Sequence, residues 1–257
     1  MLLKEYEYLV VVPGTDAYRD YLALRHEVFC EELRRVPSKG KRAGGVAVES
    51  DEYDVHSVHL LCRSVATKEV LGCSRLILPG PHGLNVSSRY RLSALDGIPP
   101  NEIGEIGRMT LSPSLRRSRS STAVVGGDGY AGSGSRRVKR DGSMVAFGIY
   151  REIFRVAGQY GITHCFAAME PSLARLLNRL GFPFAEAGPI NTDVKPARQP
   201  FIIGAHAIRA GLASRNASLY DFMMGPGEVA SVAVSEGVRQ GAEVLIETQH
   251  DLPRLSA

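Results

Sequence analysis

The chain of 257 residues is 44% hydrophobic and 23% charged, an ordinary globular composition with enough length for one sizeable domain and an appendage. No apolar run reaches the length of a membrane span, and the N-terminal MLLKEYEYLVVV lacks the basic region and apolar core of a signal peptide. The four cysteines show no CxxC spacing, which predicts buried free thiols. We therefore expect a cytoplasmic protein without a membrane span.

The first half of the chain alternates between strand and helix patterns. It predicts a strand at 5–12, a helix from Thr15 or Asp16 to about Arg35, a loop over 36–50, paired strands at 57–65 and 69–78, a short helix within 88–98 and a strand over 104–112.

The second half opens with a segment rich in Ser, Gly and basic residues, which predicts a mobile loop over 112–142. After it we expect a helix at 144–160, a strand at 162–169, a helix at 171–181, strands at 182–190 and 198–205, and helices at 206–215 and 226–240. This order predicts an α/β fold with a mixed sheet and helices on both faces, and no GxGxxG follows the first strand. We divide the chain into a domain at 1–204 and a C-terminal helical extension and tail at 205–257, whose role the sequence does not predict.

Several charged residues fall where the patterns predict burial. Arg25 lies on the apolar face of the first helix, and Arg75 alternates with apolar residues in the hairpin. Regular pleating would send Glu105 and Arg108 to opposite faces of their strand. A bulge at Gly107 would bring both charges to one face.

Buried charges need partners, because an unpaired one costs several kcal/mol. The stretch ESDEYD supplies carboxylates at Glu49, Asp51, Glu52 and Asp54. We therefore expect a network that joins three arginines to three carboxylates: Arg25, Arg75 and Arg108 with Asp51, Asp54 and Glu105. Two interpretations stay open at this point, a structural network that ties the first helix to the sheet and a cleft that needs charge.

Four motifs in order carry a family resemblance. They are Arg25-x-x-Val28-Phe29, Asp51-Glu52-Tyr53-Asp54, Gly72-x-x-Arg75-Leu76 and Gly104-Glu105-Ile106-Gly107-Arg108. A further run follows, Met169-Glu170-Pro171-x-Leu173-Ala174-Arg175-Leu176-Leu177 with Gly181-Phe182. Over about residues 18–204 the chain resembles the autoinducer-synthase-like acyltransferases, which include N-acyl-homoserine-lactone synthases and N-acyl amino acid synthases. It is most similar to the acyltransferases associated with the PEP-CTERM/exosortase system.

The resemblance implies a GNAT-like acyltransferase fold, in which two central strands splay into a V-shaped cleft and one of them carries a bulge. It implies transfer of a fatty acyl group from acyl carrier protein to the amine of an amino acid or amino-acid-like acceptor. The acyl-phosphopantetheine thioester would be a co-substrate, and no other cofactor is implied. The partners would be the acyl carrier protein and a small-molecule amine.

The sequence departs from the family pattern in two places. Homoserine-lactone synthases carry a Trp shortly after the Phe, near the S-adenosylmethionine acceptor, whereas this chain has no Trp and places Val36 or its neighbours there. The usual glycines of the GNAT pyrophosphate loop are replaced by the run from Arg116 to Ser121. Those glycines let backbone N–H groups approach a diphosphate, so their absence argues against free coenzyme A.

The chemistry needs a neutral amine, a polarised thioester and donors to the oxyanion. We assign catalysis to Glu105, as general base, and to Arg108, with backbone N–H groups of residues 107–110 as oxyanion donors. Charge pairing of Glu105 with Arg108 or Arg75 is the alternative. The candidate substrate-binding residues are Arg25, Phe29, Asp51, Asp54, Arg75, Met109 and Thr110; for Phe29 a purely structural core position is the alternative.

Seven basic residues with one acid, Asp128, crowd the predicted loop, and we expect them to dock an acidic carrier protein: Arg116, Arg117, Arg119, Arg136, Arg137, Lys139 and Arg140. A solvated loop without a partner is the alternative. Nucleic acid is not expected, since stacking aromatics are missing, and the spacing of His56 and His59 does not predict a metal site.

An acyl tunnel would be lined by the helix at 143–160 and the strand at 162–169. For the whole protein, two other functions stay open, an N-acyl-homoserine-lactone synthase that uses S-adenosylmethionine and a non-catalytic module that binds an acyl ligand.

Overall fold

The computed structural model describes residues 5–95, 97–120 and 142–225, except for the side chains of 117–120. They belong to a unit that runs from Met1 to Gly227. A second unit, Glu228–Ala257, lies outside the described residues, as do the predicted helix at 226–240 and most of the predicted loop at 112–142.

Seven strands form one mixed sheet, and two short strands form a separate hairpin. The strands are β1 Tyr6–Val11, β2 Arg42–Ala43, β3 Val46–Ala47, β4 Ser57–Ser64, β5 Val70–Ile77, β6 Ile103–Leu111, β7 His164–Met169, β8 Ala185–Glu186 and β9 Gln199–Gly204. The sheet order is β1-β4-β5-β6-β7-β9-β8, with β2 and β3 paired apart. Every neighbouring pair in the sheet is antiparallel except β6 and β7, which are parallel.

The helices are α1 Asp16–Arg25, α2 Asn85–Arg89, α3 Pro113–Ser120, α4 Gly142–Gln159, α5 Pro171–Leu180, α6 Ala205–Arg215 and α7 Ala217–Met224. A π-helical segment, His26–Glu32, continues α1, and short 3₁₀ turns occupy Glu52–His56 and Pro100–Glu102. None of the helices among the described residues is long and apolar enough to cross a membrane.

The two faces of the sheet bury separate sets of side chains, as strand alternation requires. On β4, Leu60 and Cys62 join the main core, where Val145 and Ile149 of α4 also lie. Leu61 points the other way and packs with the residues of α1. Helices on both faces of a mixed sheet confirm the predicted fold class.

The strands β6 and β7 separate along their length. They pair only where Ile103–Glu105 faces His164–Phe166. Beyond this point β6 continues to Leu111 and β7 to Met169 without further pairing between them. The sheet therefore opens into the V-shaped cleft that the family resemblance implied.

Some elements differ from the predicted ones. The short helix expected within 88–98 is α2, which ends at Arg89, and the strand expected at 182–190 is reduced to the two residues of β8. The π-helical turn takes over from α1 after Arg25, and its wider backbone still buries Val28 and Phe29.

The helix predicted at 206–215 is confirmed by α6, whereas α3 and α7 form where no helix was predicted. The stretch predicted as a mobile loop begins with α3, whose Leu115 is buried in the main core. Near the described C-terminus, α6 and α7 place Leu212, Leu219 and Met223 in the same core. Residues 205–224 are thus integrated into the first unit by apolar burial.

Candidate active site

Three arginines from three different elements meet three carboxylates that lie just before and within the turn at 52–56. We call this set the arginine–carboxylate network: Arg25, Arg75, Arg108, Glu49, Asp51 and Asp54. The network ties α1, β5 and β6 to one loop on the α1 face of the sheet. The prediction of paired arginines is correct, but Glu49 takes the place that we expected for Glu105.

Arg25 and Arg75 are completely buried, each at 0% exposure. Arg25 donates from Nε to Glu49 at 2.6 Å and forms a two-bond fork with Asp54 at 2.7 and 3.1 Å. Arg75 forms a similar fork with Asp51 at 2.5 and 2.8 Å and also reaches Asp54 at 2.6 Å. Both guanidinium groups are therefore hydrogen-bonded to protein carboxylates. We assign these two arginines the role of positioning the carboxylates that border the site.

The carboxylates are held by backbone as well as by arginine. The Asp51 and Asp54 side chains form a capping box around the 3₁₀ turn, with Asp54 accepting the Asp51 N–H at 2.9 Å. Burial raises the pKa of Asp54, but Arg25 and Arg75 outweigh it and hold that pKa well below its usual range. Burial likewise opposes Arg108 and Arg25 at Glu49, and the net pKa is lowered. All these groups stay ionised at neutral pH.

Arg108 is the arginine of the network that borders the polar cavity. Its guanidinium donates to Glu49 at 3.2 and 3.0 Å and to Asp51 at 2.9 Å, lies 5.5 Å from the centre of the Phe29 ring, and its side chain stays 12% exposed. The backbone of Arg108 has φ of +53°, in the left-handed region that non-glycine residues seldom adopt.

This conformation lies in a bulge of β6. Cys73 pairs with Thr110 and Arg75 with Gly107, so one residue of β5 faces two of β6, Arg108 and Met109. The bulge lies one residue beyond the predicted Gly107, which instead gives room to the Arg75 side chain: a Cβ there would lie 3.3 Å from Nε. Beyond this bulge Arg108 joins Arg75 on the α1 face, where both donate to Asp51.

Glu105 lies outside the network, contrary to the prediction. It is 2% exposed, and its oxygens accept the Val86 N–H at 2.7 Å and the Asn85 amide at 3.1 Å. Its carboxylate thus caps the first turn of α2, whose own N-cap residue, Leu84, has no capping side chain. Burial raises the pKa of Glu105, although both hydrogen bonds and the two nearby arginines, Arg75 and Arg108, lower it.

A polar cavity of about 240 Å³ opens beside Arg108 on the α1 face. Glu49 and Asp51 reach it from the network, and the loop predicted over 36–50 supplies Val36 and two lysines, Lys39 and Lys41. Sequence reasoning missed the lysines, because their spacing carries no pattern. Val36 lines this wall, in the stretch where the family resemblance had implied a Trp.

A separate apolar cavity of about 50 Å³ lies on the α4 face. Ile106 of β6 borders it, and so do the predicted tunnel elements, which contribute Tyr150 and Phe154 from α4 and Cys165 from β7. The C-terminal helices close it with residues such as Met223, a contribution that the sequence did not predict.

The other residues predicted for substrate binding or carrier-protein docking lie outside the arginine–carboxylate network. Met109 packs against the main core, and Thr110 is buried. Of the seven basic residues proposed for docking, Arg116 forms an ion pair with Glu32, while the structure describes no other side chain of that set.

The two histidines for which we predicted no metal site, His56 and His59, contact other side chains of the protein. His59 is buried between Tyr18 and Tyr21, its Nε2 hydrogen-bonds the Asp54 carbonyl at 3.1 Å, and burial lowers its pKa to about 4. His56 stacks on His82, with ring centres 5.7 Å apart. Within the part of the chain that the structure describes, no three metal-ligating side chains converge.

Comparisons with known proteins agree with this geometry. Residues 24–125 match the model of an acetyltransferase (GNAT) domain. An acyl-homoserine-lactone synthase of Vibrio anguillarum is 27% identical over 185 residues, which cover 69% of this chain and 79% of that protein. The chain thus contains a GNAT acyltransferase domain and is similar to the autoinducer synthases.

Solved structures support the fold of this acyltransferase. BjaI, a CoA-dependent acyl-homoserine lactone synthase solved with SAM and isopentyl-CoA, matches with a TM-score of 0.56 and 21% identity, over 87% of this chain and 90% of BjaI. TofI, solved in a ternary complex with an inhibitor and MTA, matches with a TM-score of 0.53 and 16% identity, over 84% of this chain and 99% of TofI. At these identities the likeness establishes the fold, and the substrates must be argued from the site.

Proposed function

We propose that this acyltransferase moves a fatty acyl group from an acyl carrier protein thioester to the amine of an amino acid or amino-acid-like acceptor. The observation that carries the proposal is the position of two cavities of opposite character. Ile106 borders the apolar cavity on one face of the sheet, and Arg108, two residues later, borders the polar cavity on the other. An acyl chain and a charged amine would thus approach β6 from opposite faces, where the cleft opens.

The reaction requires one proton to move away from the amine. The neutral amine nitrogen attacks the thioester carbonyl carbon, the C–S bond breaks, and the thiolate takes up a proton. Glu105 is our proposed acceptor for the proton that the amine loses, directly or through a water, because it lies on β6 next to Ile106 of the apolar cavity and burial raises its pKa. Its hydrogen bonds to Val86 and Asn85 fix the carboxylate.

Arg108 is our proposed contact to the reacting groups on the polar side. Its guanidinium is aimed by Glu49 and Asp51, which are themselves fixed by the buried arginines Arg25 and Arg75. Such a chain of buried ion pairs is costly relative to apolar packing, and it supplies a rigid charge at the edge of a cavity. On this proposal Arg25 and Arg75 are positioning residues.

The carrier protein is the proposed donor for two reasons. The start of α3, where a diphosphate would bind in a coenzyme A enzyme, has no glycine, and its Leu115 N–H already points to the Ser112 hydroxyl at 3.4 Å. The run of basic residues over 116–140 would attract an acidic partner. Arg116 is partly neutralised by Glu32, so the proposed docking charge rests on the remaining six residues.

A second acceptor, S-adenosylmethionine, has support from a different observation. The Vibrio anguillarum relative is an acyl-homoserine-lactone synthase, and the sequence match covers most of both chains. Val36 at the polar cavity, in a chain that has no Trp, favours the amino acid instead.

The decisive experiment supplies the purified protein with dodecanoyl carrier protein or dodecanoyl coenzyme A, and with either the twenty amino acids or S-adenosylmethionine. Products are identified by mass spectrometry. We expect N-dodecanoyl amino acids from the carrier-protein donor, at a rate that Glu105→Gln lowers. An acyl-homoserine lactone as the main product would replace the proposed acceptor, and a preference for coenzyme A would replace the proposed donor.

The matched control is Glu102→Gln, at a partly exposed carboxylate in the turn before β6 that accepts a hydrogen bond from the Thr163 hydroxyl. It changes the same functional group on the same segment, outside both cavities, and should leave the rate unchanged. Acyl-ligand binding by a folded protein that forms no product with any donor would favour the non-catalytic module.

A further inference from the structure

A second pair of arginines, Arg35 and Arg198, lies outside the arginine–carboxylate network. Arg198 precedes β9 and donates from its guanidinium to the Ala168 carbonyl of β7 at 3.1 Å. Arg35 follows the π-helical segment, and its guanidinium lies 3.7 Å from the Glu170 carboxylate. Glu170 begins the turn between β7 and α5, so both arginines are attached to the β7 arm of the V.

Arg198 belongs to the α1 face, and Arg35 directly precedes Val36, a residue that lines the polar cavity on that face. In β9, Phe201 and Ile203 enter the main core on the α4 face, whereas Ile202 packs with Phe166 on the opposite face. Arg198 has the same parity as Ile202 along the extended chain, so its side chain shares the α1 face. The half-buried Arg198 is thus separated from the apolar cavity by the sheet itself.

The positive charge here is not balanced by the protein. Within the described ranges Arg198 forms no ion pair, and its guanidinium has one hydrogen bond, to the Ala168 carbonyl, which leaves most of the guanidinium N–H groups for another acceptor. Burial and the neighbouring charge of Arg35 lower its pKa, and Arg108 adds to this repulsion. Glu170 is a single carboxylate beside two guanidinium groups, and it lies nearer to solvent than they do. An anion bound between Arg35 and Arg198 would relieve the excess.

We propose that Arg198 and Arg35 bind the carboxylate of the acceptor, while its amine faces β6. This inference rests on the proposed function, and it supplies what the network does not, because the guanidinium groups of Arg25 and Arg75 are already used by protein carboxylates. The planar fork of arginine suits a carboxylate, which takes two parallel N–H bonds. A free amino acid and S-adenosylmethionine share this carboxylate, so the chemistry of the subsite is common to both.

The test uses two soluble probes that differ only at the carboxylate, N-dodecanoylglycine and N-dodecanoylglycinamide. Their binding to the full-length protein is measured by isothermal titration calorimetry. We expect the carboxylate probe to bind roughly 10- to 100-fold more tightly, as for a charged hydrogen-bonded pair. Arg198→Gln should remove most of this preference, and Arg35→Gln part of it. Arg198→Lys, which keeps the charge and loses the fork, should fall between.

Arg175→Gln is the matched control, because Arg175 is exposed on α5, beyond the turn that contains Glu170. It should keep the full preference. Circular dichroism checks that each variant is folded, and the conservative Arg198→Lys variant keeps the test open if Arg198→Gln fails to fold. Equal binding of the two probes by the unmodified protein, or no binding of either, would overturn the subsite.

Steady-state kinetics separate this proposal from the proposed function. Arg198→Gln should raise KM for the acceptor with little change in kcat. The same kinetics are measured with free amino acids and with S-adenosylmethionine, and the comparison shows which of the two acceptors supplies the carboxylate. Acyl transfer that is indifferent to Arg198 would keep the function and reject the subsite. Carboxylate-selective binding without any acyl transfer would keep the subsite and reject the function.

Discussion

The backbone of Arg108 offers a sharp test of the site, because its strain can be separated from its charge. An L-residue in the left-handed region is disfavoured by about 1–2 kcal/mol, a cost that glycine avoids. Arg108 has φ of +53°. Replacing it with Ala or with Gly removes the same ion pairs to Glu49 and Asp51, so the difference between the two variants reports on the backbone.

Both variants lose the same ion pairs of Arg108 with Glu49 and Asp51, while Glu49 keeps its pair with Arg25 and Asp51 keeps its pair with Arg75, so this loss cancels in the comparison. At an ordinary strand position Gly is less stable than Ala by roughly 0.5–1 kcal/mol. At Arg108 relief of the left-handed strain reverses this order, so we expect Arg108→Gly to be more stable than Arg108→Ala by about 0.5–1 kcal/mol. Equilibrium unfolding in urea, followed by circular dichroism, measures the difference.

Met109 gives the matched control, because it lies in the same bulge without a positive φ. There Met109→Gly should be the less stable of the Gly and Ala variants, so the two positions should differ in sign. If Arg108→Gly is less stable than Arg108→Ala, the backbone of Arg108 is not strained and the bulge does not aim its side chain in the way we describe.

Four further predictions concern the reaction and the fold. Glu105→Gln should lower kcat by roughly 10²- to 10⁴-fold, measured with the carrier-protein donor, while thermal unfolding shows a folded protein. Gly148→Ala should destabilise by about 1–3 kcal/mol in urea unfolding, because its Cβ would lie 2.0 Å from the Tyr8 ring, whereas Gly158→Ala, with open space around it, should stabilise slightly. Ala205→Leu narrows the apolar cavity, so the preferred acyl chain should become shorter in a competition assay with mixed donors. The pKa values of the network carboxylates Glu49 and Asp51 are lowered from their unfolded values of 4.5 and 3.8, so these groups stabilise the fold fully above those values and lose this effect as the pH falls through the folded pKa values. We therefore expect the melting temperature to decrease at pH values below about 4.5. An unchanged melting temperature at about pH 3 would contradict the ion pairs.

The sequence predicted most of the fold because its apolar periods are regular. The pattern of β4 and β5 identified the hairpin, and charges on apolar faces identified Arg25 and Arg75 as buried and paired. The partner of Glu105 could not be predicted, because its carboxylate accepts a hydrogen bond from a backbone N–H of α2. Every residue type except proline has such a donor, so the sequence does not identify which one is used. The helix begins at Asn85, and Asn is a residue type that often lies at helix starts. We placed the helix within 88–98 instead, and so did not use this signal.

The position of the bulge shows a similar limit. Glycine is the residue that accepts a positive φ most easily, so the sequence favours Gly107. In the structure the ion pairs of Arg108 with Glu49 and Asp51 fix the side chain, and the backbone adopts the strained conformation that this requires. Gly107 is needed for a different reason, since a side chain there would press on the buried Arg75.

The order of the strands explains why so much charge is buried beside this cleft. A parallel pair that separates after three residues leaves β6 without a neighbour on one side, and a purely apolar lining there would favour closure of the gap. Charged groups resist such closure, because they must keep their carboxylate partners or water. On the α1 face the arginines hold the gap open and polar, while on the α4 face Ile106 and the helices keep it apolar. On the proposed function, the two faces of one strand would receive the acyl chain and the charged acceptor separately.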